Sequence, residues 1–133
     1  NTGPIIDSAP HAEVWLDGGH NPAAGQAIGH HLGALCKRPT YLICGMLNTK
    51  DISGYLNPIA SHVEKLIAVS IPGEMNTLPA ADTAVAARDA GMQAETADDV
   101  LSATREIVKN DPNARILICG SLYLAGNILR NHA

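Results

Sequence analysis

The order of apolar and polar segments constrains this chain more than any single motif. Short apolar runs, Val14–Leu16, Tyr41–Cys44, Leu66–Ile71 and Ile116–Cys119, alternate with stretches whose apolar residues recur at helical spacing. Parallel strands need a crossover between them, usually a helix, so this alternation is the signature of a parallel sheet. It predicts a three-layer α/β/α domain with a mainly parallel sheet of about five or six strands and right-handed crossovers. At 133 residues the chain is the size of one domain.

Strands are expected at about Glu13–Leu16, Tyr41–Cys44, Leu66–Ile71, Gln93–Thr96 and Arg115–Cys119, with Val14–Leu16 read as a buried run. Helices are expected at about Pro22–Leu35, from Ile52 toward His62, at Ala80–Ala90 closed by Gly91, after Asp98 or Asp99, and from Gly120-Ser121 to about Arg130. In the helix after Asp98 or Asp99, Val100, Leu101, Ile107 and Val108 are expected on the inner side. Residues 1–12 read as an irregular lead-in broken by Gly3, Pro4 and Pro10, with Ile5 and Ile6 expected as a short edge strand. Phe is absent and aromatics make up 3% of the chain, so Leu, Ile, Val and Ala must fill the core.

The first helix has a clear start. Asn21 is a good N-cap, and Pro22 takes the first helical position, where a missing N–H costs nothing. Ala24, Ile28, Leu32 and Leu35 form its expected buried stripe. Gly25, Gly29 and Gly33 recur every fourth residue. Helical glycine is costly, so the repeat predicts close approach to a neighbouring backbone.

In a parallel sheet every strand-to-helix turn opens on the same edge, where α/β proteins bind ligands. Three turns carry functional groups: Asp17-Gly18-Gly19-His20-Asn21, the loop from Gly45 to Asp51, and Gly120-Ser121-Leu122-Tyr123. Asp17 reads equally well as an acceptor for vicinal hydroxyls, as on a ribose, or as a carboxylate bonding its own turn. His20 reads as a solvent-facing loop histidine or as a donor to an anion held at the helix start. Lys50 is a surface lysine or an anion partner, and Ser121 an N-cap, a ligand contact or both.

Several functions are excluded or disfavoured. A net charge of −4 without Arg-aromatic clustering argues against nucleic-acid binding. No apolar run reaches transmembrane length, and no signal peptide is visible. Cys36, Cys44 and Cys119 show neither disulfide nor zinc spacing, and the two in strand patterns read as small buried hydrophobes of a reducing, cytoplasmic setting. There is no G-x-G-x-x-G, no P-loop, no G-x-S-x-G and no H-E-x-x-H, so the chain has site-like turns without a self-sufficient catalytic set.

Leu16-Asp17-Gly18-Gly19-His20-Asn21-Pro22 resembles the D-G-A/G-H-N-P signature of folylpolyglutamate and dihydrofolate synthases. Gly45-Met46-Leu47 followed by Lys50-Asp51 is similar to that family's G-x-x-x-x-K-D loop, and Gly120-Ser121-Leu122-Tyr123-Leu124-Ala125-Gly126 to its closing G-S-L-Y-L/F-A/V-G. The resemblance runs in register from about Glu13 onward. It implies the Rossmann-like C-terminal domain of a Mur-ligase-type enzyme at residues 13–133. Residues 1–12 would be the lead-in from a missing N-terminal ATP-binding domain carrying the P-loop and the magnesium ligands.

The implied chemistry is ATP-dependent joining of L-glutamate to a folate or dihydropteroate carboxylate through an acyl phosphate, with ATP and Mg as cofactors. Carried over by position, the resemblance implies ATP contacts from Asp17 and Lys50, a catalytic and glutamate-side role for His20, and glutamate contacts from Ser121 and Tyr123. No metal ligand is expected in the chain. The isolated chain is expected to be inactive, its partners being its own ATPase domain, glutamate and the pterin substrate. Two features depart from the family: Pro72–Pro79 lacks an expected Pro-Arg pair, and Gly19 replaces the commoner alanine, a mild change by sequence. The alternatives are a peptidoglycan-ligase C-terminal domain and a non-catalytic α/β module for a nucleotide or other anion.

Overall fold

The computed structural model describes Ile5 and residues 9–35, 37–47, 51–73, 75 and 77–131, without the side chains of residues 122, 123 and 131. Strand and helix alternate: β1 (Glu13–Leu16), α1 (Pro22–Ala34), β2 (Thr40–Cys44), α2 (Ile52–Ala60), β3 (Lys65–Ala68), α3 (Ala80–Asp89), β4 (Ala94–Thr96), α4 (Val100–Asn110), β5 (Arg115–Cys119) and α5 (Leu122–Asn131). The strands form one all-parallel sheet in the order β1-β5-β2-β3-β4.

Alternation along the central strands splits the core in two. Leu42, Cys44, Leu117 and Cys119 face α1, α2 and α3, whereas Ile43, Ile116 and Ile118 face α4 and α5. The helices after β1 and β5 therefore lie on opposite faces although their strands are neighbours. That reversal opens a crevice at the carboxyl ends of β1, β5 and β2.

The helix-glycine expectation holds at the backbone. A Cβ on Gly25 would meet the Tyr55 carbonyl oxygen of α2 at 2.1 Å, and one on Gly29 would meet that of Pro58 at 2.3 Å. The buried face of α1 is consequently Gly25, Ile28 and Gly29. Ala24, Leu32 and Leu35 of the expected stripe are only half-buried, because the closest packing is made where side chains are absent.

Other expectations shift for identifiable reasons. β1 is an edge strand, and Trp15 and Leu16 are each 37% exposed rather than buried. β3 stops at Ala68, short of the expected Ile71: Ile71 stays buried, but its N–H donates to the Thr77 hydroxyl at 2.8 Å instead of to a strand. The loop after β3 then returns to the loop after β2, with Leu78 N–H donating to Met46 O at 2.7 Å and Leu47 bridging Thr77. Ile5 is helical and 2% exposed against the α4–α5 face, not part of an edge strand; Ile6 lies outside the described residues. Asp99, not Asp98, caps α4, accepting from Ser102 N–H at 2.7 Å. Thr104 and Ala103 sit fully inside on that helix, while Leu101 and Val108 are half-buried.

At the opposite edge of the sheet Glu13 ties the strand starts together. Its carboxylate lies 3.2 Å from Arg38 and 3.4 Å from Arg115, which is 5% exposed. An arginine that far from water needs its carboxylate partner. The sequence carried no signal for this pairing, which spans 102 positions.

Candidate functional site

β1 hands its chain to the first turn at Asp17, whose N–H still donates to Ile118 O of β5 at 2.9 Å. One carboxylate oxygen, Oδ1, accepts from Gly19 N–H at 2.7 Å, so the turn-stabilising role is realised on that oxygen. Oδ2 makes no hydrogen bond among the described residues. Asp17 is half-buried and His20 exposed. Asn21 caps α1 as expected, its Oδ1 accepting from Ala24 N–H at 2.9 Å. Gly19 has a local reason to be glycine: a Cβ there would meet the Ala24 Cβ at 2.5 Å and Asp17 Oδ1 at 3.0 Å. In this packing the exchange with alanine is not mild, because the turn would have to shift.

The turn after β5 is drawn against the one after β2. Gly45 N–H donates to Cys119 O at 3.2 Å. Gly120 has φ +107°, and a Cβ on it would strike Gly45 O at 2.7 Å, so only glycine fits. Ser121 follows, 1% exposed, and its carbonyl accepts from Ala125 N–H as α5 begins. The fold thus brings Asp17 and Ser121 to the ends of adjacent strands, with His20 on the exposed rim. Tyr123 lies in the first turn of α5. Lys50 lies outside the described residues. Asp51, next to it, caps α2 by accepting from Gly54 N–H at 2.9 Å.

Two cavities adjoin these elements. One of about 310 Å³ lies between β1 and α1, is mostly apolar, and reaches from Trp15 and Asp17 to Ile28, Leu32 and Leu117. The Trp15 ring at its rim meets His31 edge-on, centroids 5.2 Å apart. A larger hollow of about 530 Å³, around Lys37, Arg38, His62 and Arg115, opens at the amino ends of the strands, away from the turns. Among the described residues no three His, Cys, Asp or Glu side chains group to hold a metal ion.

Sequence reasoning missed one buried polar group. Tyr55, on α2, is fully buried, and its hydroxyl has no hydrogen-bond partner among the described residues. Burial, then the neighbouring Cys119 and Cys44, push its phenol far above the ordinary range. Nothing in the pattern around Tyr55 marks it, since a helical apolar residue is what that position requires.

Strand-to-helix turns gathered on one edge of an all-parallel sheet, at a reversal of strand order, define a doubly wound α/β domain. Within that class the chain belongs to the dihydrofolate synthetase C-terminal domain family, which it matches over residues 6–131. No curated protein matches the chain significantly. Among solved structures it is similar to Mycobacterium tuberculosis folylpolyglutamate synthase complexed with ADP and AMPPCP, at 25% identity and a TM-score of 0.72, covering 85% of this chain and 28% of that one. Escherichia coli FolC in complex with DHPP and ADP gives 23% identity and 0.73, covering 88% and 28%. A bifunctional folylpolyglutamate synthase/dihydrofolate synthase with Mn, AMPPNP and L-glutamate bound gives 24% and 0.71, covering 86% and 28%. The chain therefore spans under a third of the length of these relatives. No helix among the described residues is long and apolar enough to cross a membrane.

Proposed function

We propose that this domain is the C-terminal part of a cytoplasmic ligase that joins L-glutamate to a folate or dihydropteroate carboxylate, using ATP and magnesium and passing through an acyl phosphate. The observation that carries the reading is the juxtaposition of the Asp17–Asn21 and Gly120-Ser121 turns, made by the Asp17 N–H to Ile118 O bond, in a chain of this family. The ATPase domain that would supply the P-loop and magnesium ligands is the proposed partner in the parent chain.

Asp17 Oδ2 accepts a nucleotide hydroxyl while Oδ1 stays with Gly19, so the turn itself aims the carboxylate. His20, exposed on the rim, faces the partner domain and places a donor beside the phosphoryl group or the incoming glutamate. Ser121 and Tyr123, at the start of α5, bring a helix N-terminus toward the glutamate carboxylates, and Lys50 is the proposed cation for ATP. The domain's work is to align amine with acyl phosphate as the two domains close.

The test has two arms. The purified 133-residue chain should fold yet release no ADP in the presence of glutamate and pterin substrate. In the parent enzyme, Asp17→Ala and His20→Ala should each lower kcat/KM for ligation on the order of 10²-fold with unchanged circular dichroism. Wild-type kinetics in both variants would remove the site assignment.

A further inference from the structure

Beneath the two turns lies a cluster of sulfur that the proposed ligation does not use. Cys44 and Cys119 are direct partners in the β2–β5 register and point to the same face of the sheet, 0% and 1% exposed. Met46, two residues beyond Cys44, returns to that face and is also 0% exposed. A Cβ built on Gly120 would lie 2.7 Å from Met46 Sδ and 2.9 Å from Cys44 Sγ, so both sulfurs crowd one point. The Cys44 and Cys119 side chains are therefore neighbours across the β2–β5 pair. Tyr55, fully buried on α2, lies near both cysteines.

We propose that Cys44, Cys119 and Met46 form a buried site for one monovalent soft metal ion, copper(I) in chemical class. Thiolate and thioether sulfur suit copper(I) rather than magnesium, and three sulfur donors fall short of the four ligands of a structural zinc site. Both thiols lose their protons to solvent as their sulfurs bond the ion, because the thiolate and not the thiol is the metal ligand, and the thioether completes the set as a neutral donor. Geometry favours a bridging ion over a disulfide, since in-register parallel strands hold the two Cα–Cβ bonds side by side, whereas a disulfide needs them to converge. The ion would sit directly under Gly45 and Gly120, pinning the turns that form the crevice.

Silver(I), as an air-stable probe, and copper(I) under anaerobic conditions would be titrated into the chain and followed by native mass spectrometry and competition with a chromophoric chelator. One ion should bind per chain, with release of two protons. Cys44→Ala and Cys119→Ala should each weaken binding roughly 100-fold, and the near-isosteric Met46→Leu about 10-fold, while Cys36→Ala leaves it unchanged. Circular dichroism checks each variant, and Met46→Leu keeps the test decisive if a cysteine variant does not fold. No binding of either ion, binding unweakened by Met46→Leu, or binding lost with Cys36→Ala would each overturn the site.

Discussion

At the amino end of β2 the Tyr41 hydroxyl donates to Asp111 Oδ2 at 2.7 Å. Burial first, then this bond and the charge of Asp111, push the phenol up to about 12 from its ordinary 10.0. The folded state therefore holds the proton more tightly than the unfolded chain. Below pH 10 the interaction contributes in full. Between pH 10 and 12 the unfolded chain ionises first and the contribution falls away. The stability difference between wild type and Tyr41→Phe, measured by urea unfolding, should shrink across that window, and a difference constant from pH 8 to 12 would contradict the assignment. Asp17 shows how far single residues were legible. Its place at a strand end followed from Val14–Leu16, but the choice between turn and ligand roles did not. The structure shows the turn role, with one carboxylate oxygen accepting from Gly19 N–H.

The α1–α2 pair shows what packing does to helix propensity. In an exposed helix, Gly→Ala stabilises by about 1 kcal/mol. Gly25→Ala should instead destabilise by about 1–3 kcal/mol, because its methyl meets the Tyr55 carbonyl and the two backbones cannot part without opening the core. Gly33→Ala should behave oppositely: its methyl meets only the His62 ring at 3.1 Å, which can swing aside. Urea midpoints moving in opposite directions would confirm the contrast, and a rise for both would refute it. Element order and most boundaries were readable because strand and helix periods differ. The inward face of α1 was misread because hydrophobic periodicity registers side chains, and this contact is built by omitting them. The end of β3 was misread for a related reason: a hydroxyl six residues further on captures the Ile71 N–H, and no local propensity encodes that.

Over the whole molecule, the parallel α/β architecture was legible from alternation alone, whereas the strand order was not, since any order of parallel strands satisfies the same pattern. The order observed places β5, last in sequence, between β1 and β2. All five of its residues are buried. A chain cut after Asn110 should thus fail to fold, leaving β1 with no neighbour and β2 with an open edge. Loss of the cooperative thermal transition in such a truncation checks this, and a retained transition would disprove it. During synthesis the same arrangement sets a timetable. β2, β3 and β4 can pair as they leave the ribosome, but the first strand and its aspartate must wait, unpartnered, for a segment about a hundred residues downstream. The crevice is the last part of the domain to be completed, so a chain terminated before β5 lacks the strand at whose end the two turns meet.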